Sequence, residues 1–402
     1  MIRASGGSWT MKRLTLLISV LVLLLSSCGL FRNAPTPAPT ETSLPATATE
    51  LPATPTSAPT PLPTATAELV DYGPSGFPPN INPLTGLPVS DPAVLDRRPL
   101  AIKIQLFPRD GRPPFGLSLA DVVFDYYQNN GMTRLHAIFY GNDYEQVGPI
   151  RSARLFDGEL IEMYKSIFAF GSADKRILRK LLNANYANRL IFEGALNCPP
   201  MCRIDPNGGN YLVANTKEMG PYIETRGEKD ERQNLDGMKF QHATPAGGTP
   251  AVQIFTRFSI SAYVRWDYDQ SSGKYLRFQD TQEDGGQGEA YAPLLDRVTN
   301  AQISADNVVI LVLPHKFEYK SGNSEIIDIE MKDSGIAYAF RDGYAYEVRW
   351  VRSADDTLFT LQFADGTPYP YKPGVTYYVI MGTSSTLDKK DGGIWRFVWA
   401  MP

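Results

Sequence analysis

Two arginines three residues apart, with a serine between them, follow a Gly-Pro stop in "VGPIRSAR" (Val147 to Arg154). Guanidinium groups stay charged at physiological pH and grip phosphate or carboxylate with paired hydrogen bonds. The apolar spacing after them, Leu155, Phe156, Leu160, Met163 and Tyr164, predicts a helix starting near Ser152 or Ala153. Cations are disfavoured at a helix N-terminus, where unpaired N–H groups already favour an anion. Arg151 and Arg154 there, with Ser152 as N-cap and Arg134 on the preceding strand, are therefore expected to form an anion site. A competing reading pairs the arginines internally with Asp157, Glu159 and Glu162.

Other chemistry has weaker support. His136, His242 and His315 follow no ligand spacing, and no nucleophile elbow, P-loop or H-E-x-x-H motif occurs. No catalytic residue is assigned, and no metal or cofactor is expected. The aromatics Trp266, Tyr268, Tyr275, Trp350, Tyr369 and Tyr371 fit a β core better than a sugar-stacking face. Cys198 and Cys202, in "CPPMC", are expected to form a local disulfide, since nothing completes a zinc shell around them.

The chain's address makes these residues interpretable. Lys12 and Arg13 precede the apolar run Leu14 to Leu25, which is short of the roughly 20 residues of a membrane span. "LSSC" then matches a bacterial lipobox. Residues 1–27 are expected to be a lipoprotein signal peptide, and Cys28 the lipidated first residue of an extracytoplasmic, membrane-anchored protein. Residues 28–69 are dominated by Pro, Thr and Ala and read as a disordered stalk. A net charge of −4 argues against nucleic acid as a partner.

The remaining body reads as α+β. Residues 70–246 alternate strand and helix signals: "PLAIKIQL", "LSLADVVFDYYQ", "TRLHAIFY", "SIFAFG" and "KRILRKLLNAN", the last capped by Ser172 or Asp174. Residues 247–402 are mainly β, with hairpin signals at "DQSSG" and at Asp342-Gly343 and a buried strand at "NVVILVL".

The blocks "NPLTGLP", "RRPLAIKI", "GLSLADVVFD", "GMTRLHAIFY" and "VGPIRSAR" occur in the order found in the YerB-like bacterial lipoproteins. "VRWDYDQSSGKYLRF" and "YEVRWVR … DGTP … PGVTYYVI" resemble that family's second domain. The resemblance implies an envelope lipoprotein of two domains without an established activity. Its partners would be the membrane, through the lipid, and a cell-wall polymer or envelope protein. A fainter similarity, in order and residue type only, is to the LytR-CpsA-Psr phosphotransferases, which act on lipid-linked glycopolymer. Under it Mg²⁺ would be needed, with Asp121, Asp125 and Asp174 as the nearest carboxylates. A third reading is a structural or assembly module with no small-molecule site.

Overall fold

The computed structural model describes residues 69–194, 197–205, 211–322 and 324–401. The signal segment, Cys28 and nearly all of the stalk lie outside them. Among the described residues no helix is long and apolar enough to cross a membrane.

The first half builds strands β1 (Leu100–Ile104), β2 (Val122–Asn129), β3 (Met132–Phe139), β4 (Ile167–Phe170) and β5 (Leu190–Phe192). Helix α1 (Leu155–Tyr164) precedes β4, and α2 (Lys175–Leu182) follows it. β2 and β3 form a hairpin that reverses at Asn130-Gly131, where both residues have positive φ. β1 pairs antiparallel with β3 and parallel with β4, and β4 pairs parallel with β5.

The second half enters the same sheet. Strand Thr376–Gly382 runs parallel to β2, with Val122 opposite Thr376 and Tyr126 opposite Ile380. On its other side it runs parallel to Asn307–Leu313, followed outward by Asp333–Arg341, Tyr344–Arg352 and Thr360–Gln362. The turn at Asp342-Gly343 has positive φ at both residues, as that tight hairpin requires. Strands from both sides of residue 247 thus share one eleven-stranded sheet. A second sheet contains Gln253–Arg257, Tyr263–Asp269, Lys274–Asp280, Thr386–Lys390 and Ile394–Val398. The fold is α+β.

Period-two alternation along β2 assigns its two faces. Phe124 and Tyr126 turn to α1, where they meet Phe156 and Tyr164 at ring separations of 5.1–6.5 Å. Asp125 turns the other way and pairs at 2.7 Å with Arg277 of the second sheet. Beside that pair, Trp266 packs edge-on against Tyr377 at 4.9 Å. The central sheet is therefore covered on both faces. Five of the six singled-out aromatics, Trp266, Tyr275, Trp350, Tyr369 and Tyr371, are buried and Tyr268 is partly so, which makes them core.

Cys198 and Cys202 are joined by a disulfide at the start of the short strand Met201–Arg203. The loop it closes is only a few residues long, so chain entropy limits its worth to about 2 kcal/mol. Cys198→Ser is expected to lower the urea-unfolding free energy by about that amount. A loss twice as large would show that the bridge carries more than its own loop.

Candidate functional site

The site grows from three neighbouring strands that present alternate residues to α1. On β2 these are Tyr126 and Gln128, on β3 Arg134 and His136, and on β1 Lys103. The register sets Lys103 opposite His136 and Tyr126 opposite Arg134. α1 lowers Asp157 onto them.

Asp157 and Lys103 are both fully buried and lie 3.0 Å apart. The same Asp157 oxygen accepts from the Tyr126 hydroxyl at 2.5 Å and lies 2.9 Å from His136 Nδ1. Lys103 also bonds the Tyr126 hydroxyl. The His136 ring stacks on Phe168. Burial alone would raise the Asp157 carboxyl, but the Lys103 charge and the bonds from His136 and Tyr126 hold it below the usual carboxylate range. Burial pulls Lys103 down to about 7, with Asp157 opposing the shift. Burial likewise lowers His136.

The other Asp157 oxygen accepts the Arg154 backbone N–H at 2.6 Å. This is the N3 half of a capping box, the half that does not need an acceptor on the N-cap side chain, and Arg154 is the N-cap. The helix therefore starts at Leu155 and Ser152 is not its cap, a correction with a simple cause: Asp157 fixes the first turn from inside. The Ser152 hydroxyl instead faces that of Ser172 at 3.0 Å. Asp174, the other residue offered for the second helix, caps α2 by accepting from Arg176 N at 2.9 Å.

The arginine loop is strapped across the ends of β1 and β4. Arg151 N donates to Lys103 O, Gly171 N to Arg151 O, and Ala153 N to Ser172 O, at 2.8–3.0 Å. Above this strap the guanidinium groups of Arg134 and Arg154 converge on one acceptor. Arg134 Nη1 donates to Ser152 O at 2.7 Å, and Arg154 Nη1 lies 3.4 Å from the same oxygen. Arg154 Nη1 also bonds Ala153 O at 2.8 Å, and its Nη2 bonds Gln128 Oε1 at 2.6 Å.

Every one of these acceptors is neutral. Among the described residues, neither guanidinium makes an ion pair with a carboxylate, and Arg134 Nε is buried with no hydrogen-bond partner. Burial, with the charges of Arg154 and Arg151 adding to it, lowers Arg134 to about 9. Burial also lowers Arg154. Arg151 feels the charges of Arg203, Asp110 and Glu193, and its own charge acts on Arg134.

The three acids weighed as internal partners are used differently. Asp157 serves Lys103 and the N-cap, Glu159 pairs with Arg352 at 2.7 Å, and Glu162 accepts from Asn185. The carboxylates considered for a metal are also apart in role. Asp121 accepts from Tyr140 N and Gly141 N, Asp125 pairs with Arg277, and Asp174 holds Arg176. Of the other histidines, His315 is buried and its Nδ1 lies 2.9 Å from Leu313 O, while His242 faces Asp71.

Lys103, Tyr126 and Gln128 escaped the sequence reading. The signal for the first was present in "PLAIKIQL", a single cation in an apolar run flanked by prolines. A central strand buried on both faces leaves such a lysine nowhere to go but onto a carboxylate.

The chain is similar to known proteins. "Putative lipoprotein YerB" of Bacillus subtilis (strain 168) is 27% identical over 310 residues, covering 74% of this chain and 85% of that protein. The crystal structure of the YerB protein from Bacillus subtilis shares the fold, with a TM-score of 0.62 at 24% identity, covering 75% of this chain and 96% of that one. Residues 84–225 match the domain described as "Protein of unknown function (DUF3048) N-terminal domain", and residues 254–378 match its C-terminal counterpart. With both domains present in order and the arginine loop inside the first, the chain belongs to the DUF3048 family.

Proposed function

We propose that this protein is an extracytoplasmic lipoprotein of the bacterial cell envelope, held to the membrane through lipidated Cys28. Its first half binds an anionic envelope ligand, borne by a polymer or a partner protein, at Arg134, Ser152 and Arg154, with Arg151 at the margin. The relative's name and the lipobox support the anchor. One observation carries the ligand reading: two partly buried guanidinium groups meet at one carbonyl with, among the described residues, no carboxylate paired to either. Like charges brought together under burial are costly, and a bound anion relieves that cost.

The test uses the full chain in detergent micelles, titrated calorimetrically with pyrophosphate and with citrate at fixed ionic strength. Arg134→Gln together with Arg154→Gln is expected to weaken binding at least 100-fold without changing the circular dichroism. The Arg151→Ala, Arg154→Ala double variant is expected to lose binding as well. Undiminished affinity in either double variant overturns the anion site and leaves the assembly module. Separately, Cys28→Ala is expected to abolish palmitate incorporation and to release the protein from the membrane fraction.

A further inference from the structure

We infer that the arginine site selects a single phosphate group carrying two negative charges, a terminal phosphate monoester, over monoanions such as carboxylates. The inference rests on the anion reading above and narrows it by charge balance. Asp157 is matched by Lys103, and Asp174, whose field also reaches Arg154, is matched by a two-point contact from Arg176. Tyr126 is a neutral phenol whose ionisation burial opposes, and His136 is held neutral by burial. Arg151, whose field also reaches Arg134, shares its surroundings with Arg203, Asp110 and Glu193, two charges of each sign in all. What remains uncompensated is two positive charges, on Arg134 and Arg154. A monoanion leaves one of them unmatched in a poorly hydrated setting, whereas a dianion matches both.

Donor geometry points the same way. Arg154 is immobilised, with Nη1 on Ala153 O and Ser152 O and Nη2 on Gln128. It offers a fixed charge. Arg134 is tied by Nη1 alone, and among the described residues its Nε is buried without a partner, so a phosphate oxygen reaches that nitrogen only through a shift of the side chain. The Nε–Nη2 edge of a guanidinium is the fork that takes two oxygens of one phosphate. Both groups reach the same carbonyl, so one tetrahedral anion can touch both. The Ser152 and Ser172 hydroxyls bond each other, which leaves one of their two O–H groups still able to donate.

Glycerol phosphate supplies the test, because a phosphate monoester passes from monoanion to dianion near a pKa of about 6. The full chain carrying Cys28→Ala is titrated at pH 5 and pH 8, at constant ionic strength, with glycerol phosphate, sulfate and acetate. Lys103, which titrates near 7 beside Asp157, changes the site's own charge between these values, and sulfate, a dianion at both, reports that change. Relative to sulfate, glycerol phosphate is expected to bind at least tenfold tighter at pH 8 than at pH 5, and acetate at least tenfold more weakly than glycerol phosphate at pH 8. Arg134→Gln and Arg154→Gln should each cost tenfold or more in glycerol phosphate affinity at pH 8. Acetate binding as well as glycerol phosphate at pH 8 overturns the dianion preference while the anion site stands. No binding of any of the three overturns both. Competition by phosphatidate vesicles, but not phosphatidylcholine vesicles, assigns the phosphate to a lipid headgroup. Its absence assigns it to a soluble or polymer-borne ester.

Discussion

Asp157→Ala is expected to lower the free energy of unfolding by about 3–5 kcal/mol, the usual cost of stripping one partner from a buried ion pair. Asp157 and Lys103 have no exposed side-chain surface, so solvent offers neither a substitute. The variant also frees the Tyr126 hydroxyl, one nitrogen of His136 and the Arg154 backbone N–H, each of which loses its acceptor. Urea unfolding at pH 7, followed by circular dichroism, measures the effect. Lys103→Met combined with Asp157→Leu is expected to recover part of the loss, because an apolar pair avoids the desolvation of two charges while Tyr126, His136 and the Arg154 N–H still lack their acceptor. A single variant within 1 kcal/mol of wild type would mean that the pair is not the fixed hub of the site.

The same pair sets a pH signature whose two limbs have different origins. Asp157 is depressed in the folded state, so its contribution is present above the ordinary carboxylate pKa and fades as pH falls through the folded value. Lys103 is also depressed, to about 7 from 10.5. Between those values the unfolded chain binds more protons at this lysine than the folded one does. Its contribution to stability therefore rises with pH across that window, the reverse of a lysine that gains an exposed partner. In Asp157→Ala the lysine loses the charge that held its pKa up, so the rising limb should extend below pH 7. A stability curve with unchanged slope between pH 5 and 7 would contradict this.

Arg277→Met is the second large effect, again about 3–5 kcal/mol by the same argument. Arg277 and Asp125 are buried, 2.7 Å apart and 152 positions apart in sequence, and they join the second sheet to the central strand of the first. Arg277 is also held by Gln279 at 2.9 Å and lies over the Trp266 and Tyr377 rings. Removing it leaves the Asp125 carboxyl without its partner between two sheets. The readout is a lowered urea midpoint with the near-ultraviolet signal of the buried tryptophans lost in the same transition. If Arg277→Met unfolds like wild type, the joint is not electrostatic. Asp125→Leu with Arg277→Met should restore part of the stability, as for the first pair.

Much of the local architecture was readable from the chain. Alternation in "TRLHAIFY" and in "YLRF", the β-branched run "NVVILVL", the Asp-Gly turn and the Asp174 cap each depend on residues a few positions apart, and each became the expected element. The arginine loop was legible as chemistry for the same reason. Cation placement beside a helix start is a local anomaly that no partner need be known to recognise. The exact start of α1 was not legible, because Ser152 and Arg154 compete for the cap and only Asp157, fixed by Lys103 and Tyr126 on two strands, decides between them.

What the sequence alone determined is thus the inventory: an LSSC motif that matches a lipobox, a Pro/Thr/Ala-rich segment, strand and helix types, and a cluster of cations needing an explanation. Tertiary structure decided the pairings. It alone placed Thr376–Gly382 against β2, brought Arg277 to Asp125, and brought Arg134 and Arg154 to one carbonyl. The physical reason is that periodicity tells which residues share a face, but the partner across that face is chosen by packing over the whole chain. Charges buried in that packing then have to find each other, however far apart they lie in sequence.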